Sequence, residues 1–299
     1  ARSGIAAAVV LLSILLSRML TRKISTLLTA IRKVRAGAYE HRTHISGRDE
    51  IAQIGEEFNS LTDRLQTTET LRRRFVSDAS HELKTPLAAI RLLTDSILQT
   101  DQMDMETVRD FVTDIGSEAE RLSRITEDLL RLTRLDSDLL DAPETVEVAP
   151  VLEQVMRMMS LLAQEKGTEL TYRMEENCRV SATKGEVHQV IYNLTDNAVK
   201  YSGKNGKVRV ELRHEDHDVV LTVADNGPGI PEEDLPKVFE RFYRVDKARS
   251  RAAGGTGLGL SIVQDTVKKR GGTVSAANRP NGGAVFTVRW PEAEGGDRS

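Results

Sequence analysis

The stretch HQVIYNLTDNAVKYS, His188 to Ser202, places Asn193, Asn197 and Lys200 at steps of four and three. On a helix those steps share one face. Amide oxygens so arranged can hold a Mg2+ that keeps part of its water shell, and Lys200 can meet phosphate oxygens. A solvated polar face would read the same way in isolation. The flanking periodicity alternates between helix and strand. Helices are expected near Val151–Lys166, Glu186–Tyr201 and Gly257–Arg270. Strands are expected near Glu169–Met174, Cys178–Ala182, Val208–Leu212, Val219–Ala224, Thr273–Ala277 and Ala284–Arg289. This predicts an α+β domain over residues 145–292, preceded by a linker near Asp136–Glu144.

Two glycine-bearing segments come after the asparagine helix. In DNGPGI, Asp225 is an acceptor suited to an exocyclic amine, and Gly227 and Gly229 let the backbone approach a planar ligand. In GGTGLGLSI, the glycines open a helix, which suits phosphates at its N-terminus. Its spacing is not the dinucleotide fingerprint. Between them lies VFERFYRVDKARSRAAGG, where Phe239, Phe242 and Tyr243 anchor a lid over Lys247–Gly255 and Arg244 is a candidate phosphate contact. A turn, a glycine-rich loop and a long surface loop are the plain alternatives.

Upstream the chain is helical. SHELKTPL, Ser80 to Leu87, sits in a helix whose Phe75, Ala79, Leu83, Ile90 and Ile97 form one stripe. At about 100° per residue, His81 points away from that stripe toward solvent. Pro86 cannot donate to the Glu82 carbonyl, so the helix is expected to loosen there. A second helix carries Phe111, Ile115, Leu122, Ile125, Leu129 and Leu132, after a turn near Thr100–Glu106. One antiparallel hairpin cannot bury both stripes, so a dimeric four-helix bundle is expected. Before it, Ile51, Ile54, Phe58, Leu61 and Leu65 form a seam narrow enough for a coiled coil.

Ile5–Leu16 is apolar apart from Ser13, with Arg18, Arg22 and Lys23 close behind it. At about 18 Å it is short of a bilayer. Residues 1–20 therefore read as the inner end of a truncated transmembrane helix, and the basic residues place the chain beyond about residue 20 in the cytoplasm. A signal peptide or a buried helix is the alternative. The net charge of −3 supplies no bulk field for nucleic acid. Cys178 stands alone, which rules out an internal disulfide, and six scattered histidines build no metal cluster with it.

In this order the segments resemble the bacterial sensor histidine kinases. SHELKTPL is similar to the phosphoacceptor box, HQVIYNLTDNAVKYS to the asparagine box, DNGPGI and GGTGLGLSI to the glycine boxes, and VFERFYR to the phenylalanine box. DEIAQIGEEFN resembles a HAMP relay. Lys23 stands where that relay has a proline, and Thr183 where the family often has Asp before the asparagine helix. The resemblance implies a HAMP coiled coil over 21–68, a dimeric helical-hairpin four-helix bundle over 69–138, and an α/β-sandwich ATP-binding domain of the histidine-kinase/gyrase/Hsp90 type.

It further implies ATP-dependent phosphorylation of His81, with Glu82 as base or orienting group, and transfer to an aspartate of a response regulator. Thr85 would assist dephosphorylation of that regulator. Asn197 with Asn193 would hold Mg2+, while Lys200, Tyr201, Tyr243 and Arg244 line the phosphate and ribose. Asp225, Gly227 and Gly229 would enclose adenine, and Gly255, Thr256, Gly257, Leu258, Gly259 and Leu260 would complete the nucleotide site. A homodimer anchored in the bacterial cell membrane is implied. The rival ATPases of the gyrase type need a glutamate where Asn193 stands, and a non-catalytic relay would not require the phosphate-site set.

Overall fold

The computed structural model describes residues 2–100, 103–135, 142–203, 205–245 and 255–293. Its contacts divide the chain into two units, Ala1–Asp78 and Ala79–Ser299. The first unit contains α1 (Arg2–Arg35) and the opening turns of α2 (Glu50–Gln99). α1 is one continuous helix, where periodicity separates an apolar end from an amphipathic segment. Neither Gly nor Pro interrupts Ile5–Arg35, so nothing stops propagation before Gly37. α1 is long and apolar enough to cross a membrane by length and composition.

The connector between α1 and α2 is pinned by polar groups. Asn59 accepts from the Thr43 amide at 2.9 Å and donates to the Thr43 carbonyl at 3.0 Å. Asp49 caps α2 by accepting from Ala52 N at 3.0 Å, and it pairs with Lys23 at 2.7 Å. That pairing holds the Asp49 carboxyl below its usual range. Lys23 thus ties the first helix to the second. Within the described residues of this unit the buried positions are Ala30, Val34, Thr43, Ala52, Gly55 and Thr62, most of them small. The seam residues Ile54, Leu61 and Leu65 stay exposed.

The second unit holds the remainder of α2, α3 (Met105–Leu135) and the α/β domain. α2 remains helical through Pro86, although Pro86 has no amide to donate to the Glu82 carbonyl. Proline removes only its own donor, and Thr85 Oγ1 donates to the His81 carbonyl at 3.2 Å, reinforcing the same turn. Ile125 and Leu132 are fully buried within the chain, where the stripe argument assigns them to a bundle with a second copy. α3 packs on α6 (Gly259–Lys269), which accounts for the difference.

The α/β domain contains β1 (Glu144–Glu147), α4 (Val148–Glu165), β2 (Glu169–Met174), β3 (Arg179–Ala182), α5 (Lys184–Tyr201), β4 (Lys207–Glu215), β5 (Asp218–Asp225), α6, β6 (Thr273–Asn278) and β7 (Ala284–Pro291). The main sheet has the order β2-β4-β5-β7-β6, with β2 parallel to β4 and the other pairs antiparallel. Burial alternates along β4 and β7, so one face meets the helices, while the central strand β5 buries Val219, Val220 and Leu221 in succession. Val210, Leu221, Phe286, Val155 and Leu194 are among this core. Each large side chain so buried contributes about 1.5–3 kcal/mol.

β1 has no counterpart among the expected strands: it is short, buries only Val146, and gains its partner β3 from beyond α4 and β2. α4 begins three residues before the expected Val151 because Pro150 is tolerated in a first turn. α6 begins at Gly259 rather than Gly257, since Gly257 has φ +75°, outside the right-handed helical region. Thr183 caps α5 as expected, accepting from Glu186 N while Glu186 accepts from Thr183 N. The linker residues 136–141 and most of the expected lid, 246–254, lie outside the described residues.

Thr195 on α5 is fully buried and its hydroxyl has no hydrogen-bond partner among the described residues. A buried unpaired polar group costs about 1–3 kcal/mol. Thr195→Val keeps the shape and removes that cost. The expected outcome is a stability gain of about 1 kcal/mol in urea unfolding. A loss of stability would show that the hydroxyl is satisfied in solution.

Candidate nucleotide site

A cavity of about 560 Å³ opens between α5, the end of β5, the segment before α6 and one face of α3. The helical steps read from the sequence bring Asn193, Asn197, Lys200 and Tyr201 to its wall. Asp225 and Gly229 line it from the end of β5, Tyr243 and Arg244 from the phenylalanine segment, and Gly255, Thr256, Gly257, Gly259 and Leu260 from the second glycine segment. Gly227 and Leu258 do not line it. Gly227 N instead donates to Asp225 Oδ1 at 2.8 Å, and Leu258 is fully buried.

Asp225 is 4% exposed. Its Oδ1 accepts from both Gly227 N and Ala284 N, at 2.8 and 3.2 Å. Its Oδ2 has no hydrogen bond among the described residues. Burial pushes this carboxyl up, and the two amides and Arg279 oppose that push. A buried carboxylate with one satisfied and one open oxygen is suited to accept from an amine in the cavity.

Asn193 is already engaged: Gln189 donates to its Oδ1 at 2.9 Å, and its Nδ2 donates to the Gly259 carbonyl at 3.1 Å. It therefore ties α5 to the second glycine segment, retaining one lone pair on its oxygen. Asn197 has no side-chain hydrogen bond among the described residues. Lys200 pairs with Asp196 at 2.6 Å. Tyr243 donates to Asp234 at 2.5 Å, and that bond, with burial, pushes its phenol up to about 12. Arg244 donates to the Gly255 carbonyl.

His81 is exposed on α2 and is not among the residues lining the cavity. Glu82 is held by Arg121 at 2.9 Å, with Arg244 Nη1 at 3.7 Å. Three profiles match the chain. The first is the HAMP domain, over residues 15–67. The second is the His Kinase A (phospho-acceptor) domain, over 71–138. The third is the histidine kinase-, DNA gyrase B- and HSP90-like ATPase, over 182–294. The chain belongs to the HAMP-containing sensor histidine kinases.

Among relatives, it is 31% identical over 283 residues to the signal transduction histidine-protein kinase BaeS of Escherichia coli K12, covering 94% of this chain and 60% of that protein. It is 35% identical over 311 residues to AfsQ2 of Streptomyces coelicolor, covering 97% and 57%. The chain thus spans about three fifths of the curated relatives it matches. Among solved structures, full-length ShkA in complex with AMPPNP is 29% identical with a TM-score of 0.54, covering 75% of this chain and 46% of that one.

Cavity residues outside the sequence motifs come from α3, from Met158 of α4 and from Ala284 and Phe286 of β7. Arg124, Asp128 and Arg131 line the cavity. Their steps of four and three are the same helical signal as in α5, but an ordinary solvated face carries it too. Arg279, which does not line the cavity, donates to the Asp225 carbonyl at 2.7 Å, a pairing across 54 positions that no local pattern announces.

Proposed function

We propose that this sensor histidine kinase transfers the γ-phosphoryl group of ATP to His81 and then to an aspartate of a response regulator. The observation that carries the reading is the Asp225 carboxylate, whose open oxygen faces a cavity rimmed by amide, ammonium and guanidinium groups. Asp225 accepts the adenine amine. Tyr201, Tyr243, Arg244 and Lys200 lie along ribose and phosphates, and the backbone of Gly255–Leu260 supports the phosphate end.

Asn197, whose amide has no side-chain hydrogen bond among the described residues, fits a Mg2+ ligand, and Asn193 fits one through its remaining lone pair. That ion, when bound, neutralises charge on the phosphates. The protein's own contribution is positioning and charge. His81 presents an exposed nitrogen to the γ-phosphorus, whose bond to the β-γ bridging oxygen breaks as the N–P bond forms. Glu82 accepts or orients the imidazole proton. Thr85, one turn along from His81, assists removal of phosphate from the regulator.

The modules proposed are a membrane-anchored end over 1–20, a HAMP relay over 21–68, a dimerising hairpin over 69–138 and the catalytic domain over 145–292. The exposed seam of Ile54, Leu61 and Leu65, with Leu87 and Leu92 on the hairpin, supports association with a second copy. α1 supports membrane attachment. Hydrolysis by water is disfavoured because Asn193 stands where a general base would be needed.

Asp225→Asn tests the reading. Asn keeps both backbone bonds through Oδ1 and turns an amino donor to the cavity in place of Oδ2. The expected outcome is a loss of ATP-over-GTP preference of about tenfold to a hundredfold, the effect of a mispaired buried group. The measure is competition binding by the two nucleotides. Unchanged preference would remove Asp225 as the adenine reader.

A further inference from the structure

We propose that two carboxylates of the helical hairpin, Asp128 and Glu82, block the nucleotide site in cis by occupying groups that would otherwise receive phosphate oxygens. The proposal rests on the nucleotide reading above and adds a regulation of that same site.

Thr256, in the second glycine segment, donates through Oγ1 to Asp128 Oδ2 at 2.8 Å. The Leu258 amide donates to that same hydroxyl oxygen at 3.2 Å, so the Thr256 hydroxyl is aimed by the loop that opens α6. On α3, Ile125 and Leu132 lie three before and four after Asp128, and both are fully buried. The apolar packing of α3 therefore sets Asp128 on the loop. Separately, Arg244 Nη1 lies 3.7 Å from Glu82 Oε2, and its side chain is 4% exposed. One hairpin carboxylate thus engages the glycine segment and the other engages the arginine assigned to phosphate.

A carboxylate and a phosphate oxygen compete for the same donors, since both accept charge-assisted hydrogen bonds. Burial pushes the Asp128 carboxyl up, while Thr256 and Arg131 oppose this, consistent with a group drawn from water by the contact. Only the undocked fraction of molecules offers Thr256 and Arg244 to a nucleotide. Apparent affinity falls by that fraction, and nucleotide binding in turn releases α3. Undocking removes Arg244 from Glu82 but leaves Glu82 paired with Arg121 of α3 at 2.9 Å, so the movement acts on the phosphate site alone.

The test is calorimetric titration of the full chain in detergent with ADP and Mg2+, comparing wild type, Asp128→Ala and Asp114→Ala. Asp114 is an exposed acid on the same helix, so its removal controls for long-range charge. Asp128→Ala is expected to bind about tenfold more tightly than wild type, with Asp114→Ala within about twofold. Equal or weaker binding by Asp128→Ala overturns the proposal while leaving the nucleotide reading standing. Absence of binding by wild type and both variants overturns the nucleotide reading, and this inference with it. Should Asp128→Ala lose its cooperative thermal transition, Asp128→Asn keeps the shape without the charge. That variant must then bind at least about threefold more tightly, and equal affinity overturns the proposal.

Discussion

His81→Gln leaves nucleotide binding intact and abolishes incorporation of label from γ-labelled ATP. His81 is exposed on α2 and is not among the residues lining the cavity, so its replacement disturbs neither core nor nucleotide contacts. Glutamine has at least the helix propensity of histidine, and substitutions at such exposed helical positions change stability by about 0.5 kcal/mol or less. What is lost is the imidazole nitrogen, which an amide cannot replace as a nucleophile. The measurement is label retained on the chain after acid and after alkali, because the claimed product is an acid-labile phosphoramidate. Label of wild-type amount on the variant, or acid-stable label on either protein, would move the phosphoacceptor elsewhere.

The second large effect is structural and lies outside every sequence motif. Gly283 has φ +89°, and a Cβ built there would sit 2.0 Å from the Asp225 carbonyl oxygen and 2.8 Å from Asn226 Cα. Both obstacles are backbone, so no side chain can rotate away. Gly283→Ala must push the start of β7 from the end of β5, withdrawing the Ala284 amide from Asp225. The expected cost is about 3 kcal/mol or more, read as a fall of about 6–12 °C in the thermal midpoint and weaker ATP binding. Gly282→Ala is the control. Its φ is +87°, but a Cβ there meets nothing closer than 3.9 Å, so only backbone strain of about 1 kcal/mol is added. Equal falls for the two variants would locate the effect in backbone strain rather than in the close approach.

Much of the site is readable because its residues cluster in short segments. The α5 face depends only on helical steps, and the Thr183–Glu186 capping box marks where that helix starts. The strands are legible where burial alternates, as in β4 and β7, or where an apolar run is continuous, as at Val219–Leu221 of β5. β1 escapes because one buried valine carries no period, and its hydrogen bonds come from a strand beyond a helix. α2 stays helical through Pro86, as the reading of one helix from Phe75 to Ile97 expects, because the penalty of a proline is local.

By itself the sequence determined which side chains are the candidates for the proposed chemistry: the exposed histidine, the amide and ammonium face of α5, the Asp225 acceptor and the glycine segment before α6. Each is set by periodicity or backbone permissiveness within a few residues. Only the tertiary structure decided which of those groups are already in use. Asn193 spends its amide on Gln189 and Gly259, Lys200 is paired with Asp196, and Asp225 is fastened by Gly227 and Ala284. The placement of Asp128 on Thr256 likewise joins positions 128 apart. Hydrogen bonds are satisfied by whatever packing brings within about 3 Å, and distance along the chain does not enter that selection.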